Sequence, residues 1–578
     1  MDTKFFYGRV THHRYLSEAI DEVATSSTAG ADIVITGPPD GGDGSDLECC
    51  DEDELDQNEL PNEIAGEVDV FMQDEGTSDK ENWEPQPKKK KICPPNWKRT
   101  HTSSHFPNKS LSEKDISKIF QNRHPELINL DEYGLYMEIF SEVIELLVNE
   151  TNRYANRDKN DPSFTVTHED FCKFFGLLIL SGYNIRNSER DYWSKSTQLR
   201  CDHFIQTMPR NKFQKIKGYL HAADNQNLNS CKMAKVKPLY DLINSLMIKF
   251  GMPHDRLSID ESMVPYFGRH PCKQFIRSKP IRFGFKIWAL CSSSGLPYKL
   301  EIYQGKTANE SGPLGSRVVK TLLKVCKNPA GHHIFMDNFF TSYDLMAELK
   351  EEGFRATGTV RENRLKKCPL VDSNIMKKKP RGSFDYQSDG VVTAVRWNDN
   401  SVVTICSNAI GVNPLKKVSR CSKGVGAAQV TQPNIIHEYN NGMGGVDLMD
   451  RALSDLRPCI KGKKWYWTLL VNALNVTVVF SWRLHSLLHP ESNLPQKEFR
   501  LALVDCLTKT KSKSSLLSLD RPGPAPRLVD RVRTDSFGHF PAPVPPRKCV
   551  VCKRSARIQC VKCCKTLHVN TCFQVFHE

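Results

Sequence analysis

Apolar residues recur at three- and four-residue spacing from Leu135 to Leu147 (Leu135, Tyr136, Ile139, Phe140, Val143, Ile144, Leu147), which places them along one stripe of a helix. Behind Thr167, a good N-cap, the stretch 168–180 continues the theme. Residues 106–254 therefore read as a helical platform. Near Leu257 the period changes. Residues 257–264, 282–290, 298–303 and 333–336 read as strands, 342–352 as a helix stopped at Gly353, and 356–360 as a further strand. Three antiparallel strands followed by two helix–strand units predict an α/β layer over 255–363. A Lys-rich insertion with short strand-like pieces (391–397, 401–406) occupies 364–430. The α/β layer resumes at 431–457, where a helix opens after Gly444-Gly445. A second helical block, 458–519, follows, with its main helix from Trp465 to about Leu488. A Pro/Arg-rich linker (520–547) and a cysteine-rich end (548–578) complete the chain.

At 578 residues there is room for several hydrophobic cores. No apolar run reaches the ~20 residues that span a bilayer, and the start, Met1-Asp2-Thr3-Lys4-Phe5-Phe6, predicts no secretion signal. The twenty cysteines are sparse until the last thirty residues, which fits reduced thiols and a metal-binding tail better than a disulfide scaffold. Charge changes the picture more. Residues 1–86 hold four Lys/Arg against 23 Asp/Glu, a net of −19, so the rest of the chain carries +32 of the total +13. A basic body behind an acidic tail predicts a polyanionic partner, although solvated Lys/Arg faces are common. Residues 1–105 are expected to be disordered, because 37–63 is too acidic and too poor in aromatics to bury a core. The run Pro87-Lys88-Lys89-Lys90-Lys91, with Lys98-Arg99 after it, is a candidate nuclear localisation signal or phosphate-contacting arm.

Asp260 lies within a predicted strand, Asp337 at the carboxyl end of another, and Asp447 in the first turn of a helix. Each alone has an ordinary reading. Asp260 could pair with an arginine, Asp337 could cap the following helix, and Asp447 with Asp450 could answer a helix dipole. Together they suit hard Mg²⁺ ions, which bind carboxylate oxygens and leave positions open for phosphate and water.

The surrounding blocks make the pattern specific. Ser258-Ile259-Asp260-Glu261-Ser262-Met263-Val264-Pro265-Tyr266-Phe267-Gly268-Arg269 with Lys279-Pro280-Ile281-Arg282-Phe283-Gly284-Phe285-Lys286, then Met336-Asp337-Asn338-Phe339-Phe340-Thr341-Ser342, the strand at 356–361, and Tyr439-Asn440-Asn441-Gly442-Met443-Gly444-Gly445-Val446-Asp447-Leu448-Met449-Asp450 occur in one order. This series resembles the catalytic blocks of piggyBac-type transposases, over roughly 105–578. The resemblance implies an RNase H-like catalytic core with a β-rich insertion, flanked by a split helical DNA-binding and dimerisation domain. It implies Mg²⁺ held by Asp260, Asp337 and Asp447, with Asp450 as an accessory acid. The implied reaction is cut-and-paste DNA transposition at TTAA-type sites, by a homodimer acting on double-stranded DNA in the nucleus. A domesticated relative that binds DNA without transposing it, and an adaptor with an inert core, are the alternatives.

Arg277, Lys279, Arg282 and Lys286 flank the first block, and Lys461, Lys463 and Lys464 precede Trp465-Tyr466-Trp467. The basic residues suit DNA phosphates. The two tryptophans read better as core anchors than as base-stacking platforms. In the tail, Cys549, Cys552, Cys560, Cys563, His568, Cys572 and His577 have the spacing of structural Zn²⁺ ligands. An eight-ligand, two-zinc cross-brace would need one more ligand, and Cys564 is the nearest candidate. The expected role is scaffolding, since thirty residues hold too little core to fold alone. The resemblance implies that this domain binds the terminal DNA repeats.

Overall fold

The computed structural model describes residues 9–13, 31–36, 67–72, 95–100, 111–228, 231–276, 279, 281–305, 312–422, 426–509 and 538–578. The chain divides into two compact units, 1–510 and 511–578.

In the first unit, helices α1 (Glu113–Arg123), α2 (Glu132–Arg153), α3 (His168–Ser181), α4 (Asp202–Thr207), α5 (Arg210–Tyr219) and α6 (Lys237–Met247) precede the main sheet. All seven apolar residues of the predicted stripe are buried on α2. Thr167 caps α3 in a reciprocal arrangement: its hydroxyl accepts from Asp170 N (3.1 Å), and its own N–H donates to the Asp170 carboxylate (3.3 Å).

Strands β1 (Arg9–His13), β2 (Ala31–Thr36) and β3 (Glu67–Met72) lie in the acidic region expected to be disordered. The acidic stretch 37–63 and the lysine run 88–91 lie outside the described residues. The strands coincide with the β-branched and aromatic pieces Ile33-Val34-Ile35 and Val68-Asp69-Val70-Phe71, which net acidity had masked. Lys98 forms a β-bridge with Ser388, and the Arg99 guanidinium lies 5.5 Å from the Tyr386 ring centroid, fastening 95–100 to the body.

The sheet continues through β4 (Arg256–Pro265), β5 (Lys273–Phe275), β6 (Phe283–Ser292), β7 (Pro297–Ile302), β8 (His333–Met336) and β9 (Arg355–Thr359). β4 pairs antiparallel with β6 and parallel with β8, β8 pairs parallel with β9, and β6 also pairs with β7. Helix α7 (Leu314–Leu323) precedes β8, and α8 (Tyr343–Glu351) links β8 to β9, capped by Ser342. β8 is buried along its length, as a central parallel strand should be.

The insertion is an extension of this sheet. Past α9 (Ser373–Lys377) come β10 (Phe384–Ser388), β11 (Thr393–Asn398) and β12 (Val402–Ser407), and β12 pairs with β9. A hairpin of β13 (Lys416–Ser422) and β14 (Gly426–Gln432) follows. Tyr386, Val395, Trp397, Ile405, Val412 and Val430 give this part its own small core, closed by Ile435 and Ile436 of α10 (Asn434–Gly442). Helix α11 (Gly445–Asp455) lies on β4 and β6.

The second helical block, α12 (Trp467–Leu488) and α13 (Gln496–Lys509), packs back on the first: α12 against α2, and α13 against α3. One continuous apolar cluster joins both helical pieces to the sheet. Fully buried Arg500 ties the closure, donating to Asn475 Oδ1 (2.6 Å) and the Leu456 carbonyl (3.1 Å). Among the described residues no helix is long and apolar enough to cross a membrane.

The second unit is a three-stranded antiparallel sheet, β15 (Pro541–Lys548), β16 (Ser555–Cys560) and β17 (Thr566–Leu567), with α14 (Thr571–His577). The stretch read as linker thus meets the described residues at 538, and from Pro541 on it is a strand of a folded sheet.

Candidate functional site

Register places the first two aspartates. Ile259 of β4 lies beside Met336 of β8, so the next residues, Asp260 and Asp337, are neighbours across a parallel pair. Asp260 Oδ1 accepts from Glu261 N (2.8 Å). Asp337 Oδ1 accepts from Phe339 N (2.9 Å), and the Asp337 carbonyl accepts from the Thr341 hydroxyl (2.7 Å). Gly358 on β9 makes room for that turn, since a methyl group there would stand 2.2 Å from Thr341 Oγ1. From the far side Arg364 donates to the carbonyls of Asn338 (3.0 Å) and Phe339 (2.7 Å).

Helix α11 brings the other two acids. Gly444 takes a left-handed φ of +97°, which turns the chain into the helix. Asp447 is exposed in the first turn, and Asp450, one turn on, accepts from the Ser262 hydroxyl of β4 at 2.5 Å.

Burial drives the electrostatics. It pushes the Asp260 carboxyl well up, and Glu261 and Asp337 add to the rise against the pull of Lys279. Asp337 is raised by burial and then by Glu261, against the N–H groups of Phe339 and Phe340 and the charge of Lys286. Burial takes Asp450 to about 6, despite the Ser262 hydrogen bond and Lys279. In all three, loss of water outweighs the cations and N–H groups nearby. Asp260 lies mid-way along β4, Asp337 just past the end of β8, and Asp450 at Ser262 of β4, and the acids do not close into a tight cage. Among the described residues, the groups of metal-binding type whose ligand atoms all lie within 4.8 Å of one another are both in the second unit.

Those two groups are Cys549, Cys552, His568 and Cys572, and His539, Cys560, Cys563 and His577. All seven residues singled out from the sequence are present, and their order along the chain alternates between the groups. The eighth is His539 rather than Cys564. Cys564 is exposed in a left-handed turn (φ +50°), and its thiol points to the Val561 carbonyl (3.5 Å). His539 Nδ1 lies 3.4 Å from both Cys560 Sγ and Cys563 Sγ. The signal for His539 was its position ahead of a β-strand, hidden because four prolines made 541–546 look like linker. Around the first group, His568 Nε2 meets the Ser555 carbonyl (3.0 Å), which turns Nδ1 toward Cys552 (3.3 Å). Burial works against a thiolate at Cys549, yet the N–H groups of Cys552, Val551 and His568 bring it down.

The family model described as Transposase IS4 matches residues 131–482. Human piggyBac transposable element-derived protein 3 is 37% identical over 456 residues, covering 76% of this chain and 75% of the relative. Human piggyBac transposable element-derived protein 2 is 32% identical over 566 residues, covering 94% and 93%. The chain belongs to the piggyBac transposase family. A solved piggyBac transposase, in a synaptic complex with hairpin DNA, matches its fold with a TM-score of 0.56 at 22% identity, covering 76% of this chain and 95% of that one.

The basic residues singled out within this piggyBac-family chain have different settings. Arg277 lies outside the described residues, and Arg282 is exposed. Lys279 turns inward to Glu261. The Lys286 ammonium lies 4.1 Å from the Trp288 ring centroid and 5.2 Å from that of Phe339, which stack on each other. Lys461 and Lys463 are exposed, whereas Lys464 donates to the Gly218 carbonyl (2.8 Å). Trp467 is a core anchor, its ring N–H donating to the Ile460 carbonyl (2.9 Å), and half-buried Trp465 packs on His270.

Proposed function

We propose that this chain is a piggyBac-like DNA transposase that cleaves DNA and transfers strands in a Mg²⁺-dependent, cut-and-paste reaction at TTAA-type targets. The observation that supports the reading is that Asp260 and Asp337 follow a paired position of β4 and β8, while Asp450 reaches Ser262, two residues further along β4, from the helix that also carries Asp447. The strand order β7-β6-β4-β8-β9, with its one antiparallel-to-parallel change at β4, supports an RNase H-like core. The donor set fits Mg²⁺: hard carboxylate oxygens, two of them (Asp260 and Asp337) half-buried side by side and the third (Asp447) open to solvent. Asp260, Asp337 and Asp447 would hold the metal, with Asp450 beside it, and bound Mg²⁺ would supply activation of the attacking oxygen and stabilisation of the leaving one.

The chain's own residues do the rest. Arg364 and Thr341 hold the Asp337 turn, Ser262 orients Asp450, and Arg282, Lys286, Lys461 and Lys463 face DNA phosphates. In the second unit, the two four-ligand sets, one of three cysteines and a histidine and one of two cysteines and two histidines, fit Zn²⁺ as structural ions, one in each. Its basic residues, including Lys553, Arg557, Lys562 and Lys565, suit the terminal repeats. A homodimer in the nucleus is the expected setting.

The relatives are named as transposable element-derived proteins, and this favours a second reading: a domesticated protein that binds DNA without transposing it. An excision assay decides between them. Full-length protein is presented with candidate element ends and Mg²⁺, alongside Asp337→Asn. Cleavage by the first and none by the second supports the transposase. Binding without cleavage by either supports the domesticated reading.

A further inference from the structure

Lys279 stands on the turn between β5 and β6, which is closed by Ile276 N–H donating to the Arg282 carbonyl (2.9 Å). Its side chain reaches over β4 and donates to the Glu261 carbonyl at 3.1 Å, with the Glu261 carboxylate 3.7 Å away. Burial works against the lysine's charge, and the charges of Asp260, Glu261, Asp447 and Asp450 together outweigh that burial and hold the proton on. Only 19% of the Lys279 side chain and 16% of that of Glu261 are exposed. A lysine so covered is held by the acids around it rather than by water. A main-chain carbonyl of the strand that carries Asp260 fixes where its charge sits. This is a different setting from that of a solvated lysine waiting for a phosphate.

We propose that Lys279 is the built-in counter-cation of the carboxylate site: its ammonium neutralises Asp260, Glu261, Asp447 and Asp450 until a divalent metal ion displaces it. The proposal rests on the metal-dependent reading above and deepens it. Two cations cannot both sit among the same acids without repulsion, so the lysine sets a threshold for metal binding. Incoming DNA brings phosphate charge that the displaced ammonium can meet. Metal and DNA binding thereby become linked, each favouring the other.

The test is Mn²⁺ binding to the full-length protein without DNA, read from the electron paramagnetic resonance of unbound Mn²⁺. Lys279→Met is expected to bind Mn²⁺ at least about five-fold more tightly than wild type, because it removes the competitor. Lys279→Arg, which keeps the charge, should stay within about two-fold. Lys279→Gln, which keeps a donor for the Glu261 carbonyl, should follow Lys279→Met and covers the case in which that variant does not fold. In EDTA the neutral variants should melt at a lower temperature than wild type, and Mn²⁺ should restore them. Equal or weaker Mn²⁺ binding by both neutral variants overturns the proposal alone, provided that wild type binds Mn²⁺ and Asp337→Asn does not. If wild type shows no Mn²⁺ binding sensitive to Asp337→Asn, the metal reading itself falls, and this proposal with it.

Discussion

Gly445, at the start of α11, lies so close to β6 that a methyl group on its α-carbon would stand 2.0 Å from the Ser292 carbonyl oxygen. The neighbour is backbone, so nothing cheap can move aside. In an exposed helix Gly→Ala would stabilise by about 1 kcal/mol. Here Gly445→Ala is expected to destabilise by about 1–3 kcal/mol, as overpacking does, and to push Asp447 and Asp450 away from β4. Urea unfolding should show the loss of stability, and DNA cleavage should fall at least ten-fold even where the protein remains folded. Gly444→Ala is a useful contrast. It meets no neighbour within 4 Å, so its cost comes from its left-handed φ alone.

The strands and helices around the aspartates were legible because their signals are local. The stripe on α2, the Thr167 cap, Gly353 after α8 and the run 333–336 all follow from periodicity and capping. What the sequence concealed lies in long-range pairing and in context. Nothing local shows that β12 pairs with β9, so the insertion read as separate from the sheet it extends. Lys279 read as a DNA contact because a lysine beside a catalytic block is usually solvated. Its ammonium donates to the Glu261 carbonyl, eighteen residues back, a contact that no local pattern shows. His539 was lost for the opposite reason: its ligand partners are more than twenty residues away, and the prolines between suggested a linker.

The alternation of ligands in the second unit makes a separate prediction. With His539 in one group and Cys549 in the other, His539→Ala should remove one metal ion of two, measured as zinc per chain by elemental analysis, and weaken the fold. Cys564→Ser should leave both ions in place. Stripping metal with a strong chelator should unfold 538–578, since so small a unit owes its folding energy to its ions. Far-ultraviolet circular dichroism of the full chain and proteolysis of this segment would report the change. An unaltered zinc content in His539→Ala would remove it from the ligand set.

Asp450 illustrates the cost of holding the acids together. Burial raises its folded-state pKa to about 6, above the ordinary carboxyl value of 3.8. A folded pKa above the unfolded one means that stability is lost as pH rises from about 4 to 6. At pH 7.5 the charged group is therefore a burden on the metal-free protein. Asp450→Asn keeps an oxygen for the Ser262 hydroxyl and removes the charge. It should stabilise the protein in EDTA by roughly 1–2 kcal/mol, an increase that Mg²⁺ narrows by stabilising wild type more. Thermal melts with EDTA and with Mg²⁺ measure both. A melting temperature unchanged or lowered in EDTA would contradict this account.

His221 gives a pH dependence outside the carboxylate site. It is 2% exposed, stacked on Tyr154 (ring centroids 3.6 Å apart), with Nδ1 on the Tyr219 carbonyl (3.0 Å) and Nε2 on the Tyr466 hydroxyl (3.1 Å). A neutral ring satisfies both bonds, Nδ1–H donating and Nε2 accepting. Burial, and next the charge of Lys464, lower its pKa from 6.5 to about 3. Below pH 6.5 the unfolded chain therefore takes up a proton that the folded chain refuses, so stability falls as pH drops from 6.5 towards 3. Between pH 7 and pH 5 the loss from this one group is about 2 kcal/mol. Urea midpoints at pH 7, 6 and 5 should show it, and His221→Gln should be less stable at pH 7 but flatter across the series. If the variant keeps the wild-type slope, the acid sensitivity of this helical block resides elsewhere.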